Sequence, residues 1–234
     1  MKKRILLFAI ICYVQTFSQQ LTGVQLLEKA IQYHDPNGNW QTFTGDLFVT
    51  MKTPKRSDRK SHIKINLPKE YFYVKATRDT IVTELAVHKT DCNIAFNGNT
   101  NPSEEIKKKY RLNCKRAKMY QNYYTYLYGL PMKLKDKGTI IDKKIQHKKF
   151  KGKDYLVLKA TYKKEVGKDI WYFYFNPKNY KMEVYQFFHD ETKNDGEYIL
   201  LSEEIIVNDI KMPKERAWYT NGKEKYLGTD ILQN

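Results

Sequence analysis

DIWYFYFNPKNYKMEVYQFFHD, residues 169–190, decides the fold. The stretch reads as two strands, at 170–175 and 180–188, joined by Asn176-Pro177-Lys178-Asn179. Asn at the first turn position caps its own backbone and Pro at the second presets φ, which suits a type I turn. The first strand is apolar on both faces, with Trp171, Phe173 and Phe175 on one and Tyr172 and Tyr174 on the other. In the second, Tyr180, Met182, Val184 and Phe188 share a face, with Lys181 and Glu183 opposite. A strand apolar on both sides is covered on both sides. The hairpin is therefore expected in the middle of a sheet, with another element packed over the concave face.

Working outward, period-2 alternation runs through most of the chain. Phe43, Leu47, Val49 and Met51 alternate with Thr44, Asp46 and Thr50; Ile63 and Ile65 alternate with Lys64 and Asn66; Phe72 and Val74 alternate with Tyr71, Tyr73 and Lys75. Similar segments follow at 81–88, 92–96, 156–162, 199–207, 210–219 and 226–232, with a weakly patterned basic one at 141–150. Turn signals such as Thr53-Pro54, Leu67-Pro68 and Asn97-Gly98 separate them, and the short spacing suits antiparallel neighbours. The expectation is a mainly β (α+β) domain: a single large curved antiparallel sheet of about eleven strands, with two helices. One helix is expected at 22–34, with Val24, Leu27, Ala30 and Ile31 on its apolar stripe. The second is expected as one long covering helix at 102–127, carrying Ile106, Tyr110, Cys114, Ala117, Tyr120, Tyr124 and Leu127 on one stripe and a basic stripe beside it. Gly129-Leu130-Pro131 ends it.

Residues 1–18 read as a signal peptide. Lys2, Lys3 and Arg4 precede an apolar run of ten, too short to span a bilayer, and Thr16 and Ser18 suit a cut before Gln19. Cys12 follows Ile11, where a lipidation site needs a small residue, so the mature chain is read as one soluble, exported, periplasmic domain at 19–234. Of 42 Lys+Arg, 39 remain against 26 Asp+Glu, a net +13. An exported basic protein meets anionic envelope surfaces rather than nucleic acid, and a solvated basic surface also serves solubility. Cys92 and Cys114 form an even pair in an exported chain and suggest a disulfide, which would stabilise by about 3 kcal/mol.

The chemistry-bearing residues do not converge. The five histidines are scattered, so no metal site is expected, and there is no nucleophile elbow or phosphate loop, so no cofactor either. Glu104-Glu105 and Glu203-Glu204 are adjacent pairs that do not share a face. His34 and Asp35, with Trp40, form the best polar candidate: His34 as a general base, or Asp35 making an Asx-type turn before Pro36 while His34 ends the helix. The turn reading carries more weight, and no enzyme activity is expected. The remaining signal is aromatic, 33 residues of Phe, Trp and Tyr, 19 of them Tyr. Core packing accounts for most. The rest leaves room for an apolar pocket between sheet and helix, with Phe72, Val74, Tyr120, Tyr124, Trp171, Phe173 and Met182 as its candidate lining.

LPKEYFYV at 67–74 and WYFYFNP at 171–177 resemble the strand start and hairpin of the LolA-like half-barrel superfamily, which includes carriers of lipoproteins and related lipid-binding proteins. YHDPNGNW at 33–40, YYTYLYGLP at 123–131 and the run 172–187 resemble, more closely, an uncharacterised exported family of Bacteroidota. The resemblance implies a half-barrel with the 102–127 helix as its lid and a lipid or other apolar small molecule as ligand. LolA-type carriers place an arginine in the strand after the Pro; here Tyr71 and Tyr73 occupy that region and the nearest basic residue inside the strand is Lys75. That departure argues against lipoprotein transfer itself. Two readings follow: a carrier of an apolar ligand, or an envelope adaptor that binds an acidic glycan or protein through Lys52, Lys55, Arg56, Arg59 and Lys60 or through the basic stripe of the 102–127 helix.

Overall fold

The structure is a computed structural model that describes residues 21–233. The expected signal peptide lies outside them. The chain enters with helix α1 (Gly23–His34), whose start is fixed by a capping box: Gln25 N–H donates to Thr22 Oγ1, and Thr22 N–H donates to Gln25 Oε1. Five strands follow as successive hairpins, β1 (Thr44–Thr53), β2 (Arg56–Asn66), β3 (Tyr71–Arg78), β4 (Ile81–His88) and β5 (Asp91–Phe96). Helices α2 (Glu104–Tyr110) and α3 (Cys114–Gly129) cross over. The chain then lays down β6 (Thr139–Ile141), β7 (Gln146–Phe150), β8 (Lys153–Tyr162), β9 (Ile170–Phe175), β10 (Met182–Phe188) and β11 (Glu197–Ser202). A small hairpin of β12 (Ile205–Val207) and β13 (Ile210–Met212) precedes β14 (Glu215–Thr220) and β15 (Tyr226–Gln233).

Thirteen strands form one antiparallel sheet in the order β5-β4-β3-β2-β1-β15-β14-β11-β10-β9-β8-β6, with β7 also on β8. The last strand therefore pairs with the first, and the two halves of the chain meet mid-sheet at β1 and β15. The sheet is not closed: β5 and β6 are its two ends. Its concave face carries the main core, and α1 and α3 pack against it. Tyr155, Val157, Tyr172, Tyr174 and Val184 form a second, smaller cluster on the outer face of β8, β9 and β10. The two-faced reading of β9 holds, with Trp171, Phe173 and Phe175 inward and Tyr172 and Tyr174 outward.

Several local expectations are corrected. The expected 102–127 helix is bent, not continuous. Arg111 adopts a left-handed φ of 55° and caps α2, and Asn113 caps α3 by accepting from Arg116 N–H at 2.8 Å. Asn competes with helical hydrogen bonding when interior and satisfies it when terminal, so the bend falls there. On α1, Leu26 is buried in place of Val24, which is 56 % exposed. Gly23 sets that rotation: it donates to Lys143 O at 2.9 Å, and a Cβ on it would lie 2.0 Å from Asp142 O. The 180–188 strand starts at Met182. Tyr180 closes the turn in a left-handed conformation and donates to Asn176 O at 2.8 Å. A bulge between Met182 and Val184 then switches the facing, so Met182 and Tyr185 point inward and Val184 outward. The strand count rises from about eleven to fifteen because a left-handed Glu203 divides the 199–207 segment, Pro213 divides the 210–219 segment, and the basic stretch around 141–150 holds two short strands.

Candidate functional site

The space between the concave face and α3 is filled by side chains from both. Phe72 stacks on Tyr124 with ring centroids 6.2 Å apart, and Tyr124 meets Tyr120, Tyr123 and Tyr128 at 5.9, 5.1 and 6.1 Å. Further along, Tyr123 stacks on Trp218, Trp218 meets Tyr185 edge-on, and Tyr185 meets Trp171. Offset and edge-on contacts of this kind each contribute about 0.5–1.5 kcal/mol beyond burial. The tyrosines come from one helix because residues three and four apart share its sheet-facing side.

Of the seven candidate lining residues, Phe72, Val74, Tyr124, Phe173 and Met182 are buried in this interior, while Tyr120 and Trp171 are half-buried at its margin. They do not gather at one point. Five strands separate β3, which carries Phe72 and Val74, from β10, which carries Met182. Helix α3 bridges the gap, with Tyr124 on Phe72 and Tyr126 on Trp171. A cleft of about 510 Å³ opens at the edge of α3, lined by Tyr123, Tyr126, Tyr162 and Trp171. The hydroxyls of Tyr126 and Tyr162 are hydrogen-bonded across it.

His34, Asp35 and Trp40 form a backbone clasp. His34 Nδ1–H donates to Lys211 O at 2.7 Å, and Nε2 accepts from Met182 N–H at 3.0 Å. Burial pushes this imidazole down to about 4, against the opposing pull of the Lys211 carbonyl. With both ring nitrogens committed to backbone, the ring offers no atom to a substrate. Asp35 accepts from Asn39 N–H at 2.8 Å and Trp40 N–H at 2.9 Å, the Asx-type turn the sequence suggests. Trp40 is buried and stands against Gly129, where a Cβ would lie 2.3 Å from the indole. Cys92 and Cys114 are joined in a disulfide, which ties β5 to the first turn of α3. Among the described residues no group of three or more His, Cys, Asp or Glu could hold a metal, and no helix is long and apolar enough to cross a membrane.

The sequence reading missed a charged row on the concave face. Arg59 on β2 and Asp230 on β15 both pair with Met51 on β1, and Asp230 pairs with Arg216 on β14. Directly opposed residues share a face, so all four point inward. Arg216 is 1 % exposed; its Nη1 donates to Pro213 O at 3.0 Å and its guanidinium lies 4.1 Å from the Tyr128 ring centroid. Arg59 Nη2 donates to Tyr124 Oη at 3.0 Å. An arginine therefore does reach the covering helix, but from β2 instead of from the strand after Pro68. Arg59 consequently leaves the exposed basic set of Lys52, Lys55, Arg56 and Lys60. Burial raises the Asp230 carboxyl above its usual range, with Arg59 and Arg216 pulling the other way. Strand parity was the available signal: Arg59 is in phase with Ile63 and Ile65, and Asp230 with Leu232, all inward-facing.

DUF6503, a family of unknown function, matches residues 2–234. The chain belongs to this family. No curated protein matches it. Among solved structures, the DUF6503 chain is similar to a LolA superfamily protein from Nitrosomonas europaea, with a TM-score of 0.54 and 11 % identity over 91 % of this chain and 92 % of that one. It also matches a putative outer membrane lipoprotein-sorting protein domain from Vibrio parahaemolyticus (TM-score 0.46, 9 % identity, 91 % and 90 % covered). A DUF1329 family protein from Desulfovibrio piger matches as well (TM-score 0.49, 9 % identity, 91 % of each chain covered). At such identities the first of these establishes a shared LolA-like fold and nothing about ligand.

Proposed function

We propose that this protein is an exported, non-catalytic carrier of a lipid or other apolar ligand, held between the curved sheet and α3, and that it works in the periplasm. The observation that carries the reading is the way α3 covers the sheet. One tyrosine-rich helix lies across the concave face of an unclosed LolA-like sheet, tied at its start by the Cys92–Cys114 disulfide. Along its length it packs on the sheet through its tyrosines, and its hydrogen bonds to the sheet are single side-chain ones, Arg59 to Tyr124 and Tyr126 to Tyr162. Displacing a helix fastened in this way exposes Phe72, Val74, Phe173 and their neighbours without breaking a strand pair. Burying an acyl chain there yields about 25 cal/mol per Å² of apolar surface, enough to hold it without chemistry.

A dansyl-labelled fatty acid tests the reading. Saturable uptake with a blue-shifted emission, displaced by unlabelled fatty acid, is the expected result; no uptake at any concentration below micelle formation contradicts it. A second reading rests on Lys52, Lys55, Arg56 and Lys60, exposed together on the β1–β2 hairpin. An adaptor for an acidic glycan would bind through them with an affinity that falls steeply with salt.

A further inference from the structure

Among the described residues, Arg59 Nε, Arg216 Nε, Tyr128 Oη, Tyr185 Oη, Trp218 Nε1 and Asp230 Oδ1 are buried polar atoms without a hydrogen-bond partner. They are neighbours. Arg59, Asp230 and Arg216 lie on one inward-facing row across β2, β15 and β14, Trp218 lies two residues along β14, and Tyr185 meets Trp218 at 6.3 Å. Tyr128 faces the Arg216 guanidinium from α3. An unpaired buried polar group costs about 1–3 kcal/mol, more when charged, so native interiors rarely collect several in one place.

The deficit has a sign. Five of the six atoms can donate and only Asp230 Oδ1 is restricted to accepting, so donors stay in excess even with Trp218 turned to Asp230 and Arg216 to Tyr185, the partners they approach within the cluster. Two guanidiniums face one carboxylate, so the centre carries a single net positive charge when Asp230 is ionised. The group that satisfies both excesses is an oxyanion. The surroundings are not those of a free inorganic ion. Val49, Leu232 and Leu201 adjoin the row on the same face, and ring contacts lead from Trp218 through Tyr185 and Tyr123 to Trp171 and the cleft at the edge of α3.

We propose that the Arg59–Asp230–Arg216 row is the receptor for the head group of the carried ligand, a single-chain amphiphile with a carboxylate or phosphate that lies head inward beneath α3. This inference rests on the carrier reading and specifies its ligand class. The lid itself supplies the stand-ins. Tyr124 Oη takes the Arg59 hydrogen bond and the Tyr128 ring covers Arg216, so an incoming oxyanion competes with α3 for both guanidiniums. Head-group capture and lid displacement are then one event.

The test is titration calorimetry with dodecanoate, dodecyl phosphate, dodecanol and inorganic phosphate, on the wild type and on the Arg59→Met and Asp230→Asn proteins. The wild type should bind at least one of the two anionic chains about tenfold or more tighter than dodecanol, the scale of one hydrogen bond to a charged group. The preferred anion identifies the head group. Arg59→Met should weaken that ligand about tenfold and leave dodecanol unchanged. Asp230→Asn removes the competing negative charge and should tighten anion binding, a gain that a purely structural role for Asp230 does not give. Equal binding of dodecanol and the anionic chains overturns the head-group assignment while leaving the carrier intact. Inorganic phosphate binding as tightly as dodecyl phosphate overturns the amphiphile. Binding of no chain at all overturns both proposals. The wild-type comparison needs no variant, so it decides the matter even if a substituted protein fails to fold.

Discussion

The backbone N–H of Met182 donates to Nε2 of His34, 148 residues earlier in the chain. With Nδ1–H on the Lys211 carbonyl, this bond fixes one neutral tautomer and joins α1 to both β10 and β13. A proton on Nε2 would set donor against donor in a buried site. Burial is the main cause that pushes the imidazole down to about 4.

Stability should therefore depend on pH through His34. Its folded value lies below the ordinary 6.5, so its contribution is complete above about pH 6.5 and is lost as pH falls towards 4. The loss amounts to about 3 kcal/mol over that window. Denaturant melts from pH 7.5 to 4 should show it, with a shallower slope in His34→Asn. Equal slopes in the two proteins would remove His34 from the account.

Trp40 is held from two directions, by Asp35 on its backbone and by Gly129 against its ring. Asp35→Ala removes two hydrogen bonds to a buried turn and should cost about 1–3 kcal/mol. Gly129→Ala forces the indole to move and should cost about 1–3 kcal/mol by overpacking. Chemical denaturation measures both losses, and a change below 0.5 kcal/mol in either (about the scale of a neutral surface substitution) would contradict this packing.

Replacing Cys92 and Cys114 together by Ser should lower stability by about 3 kcal/mol. Hydrogen exchange should rise first in α2 and the first turn of α3, the part the bond ties to β5. Intact-mass measurement with and without reduction tests the bond, and two free thiols would refute it.

Tyr124→Phe should loosen the lid. It leaves Arg59 Nη2 without its hydroxyl partner while keeping the stack on Phe72. Exchange in α3 should quicken about tenfold, the scale of one charge-assisted hydrogen bond, while strands β9 and β10 stay protected. Uniform loss of protection across the whole protein would show that α3 is core and not lid.

Alternation made the architecture legible. The two-faced pattern of Trp171 to Phe175, the Asx turn at Asp35 and the pairing of Cys92 with Cys114 all depend on local chemistry that the sequence displays. The facing of Val184 was not legible, because a one-residue bulge reverses parity without leaving a compositional mark. Nor was the bend at Arg111–Asn113, where a capping residue sits inside an otherwise continuous stripe. The charged row escaped for a different reason. A charge in phase with apolar neighbours reads as an exposed strand end until the neighbouring strands are known. Only the return of β15 to β1 brings Asp230 between Arg59 and Arg216.

The central claim is that sheet and α3 together carry a ligand. Native mass spectrometry of the protein purified from the periplasm without detergent tests it most directly, followed by solvent extraction of whatever is bound. The account predicts a co-purifying lipid-sized mass that extraction identifies as an amphiphile with a carboxylate or phosphate head. A clean mass for the chain alone, with no uptake when fatty acid is added back, would contradict it and leave the basic β1–β2 hairpin as the functional surface.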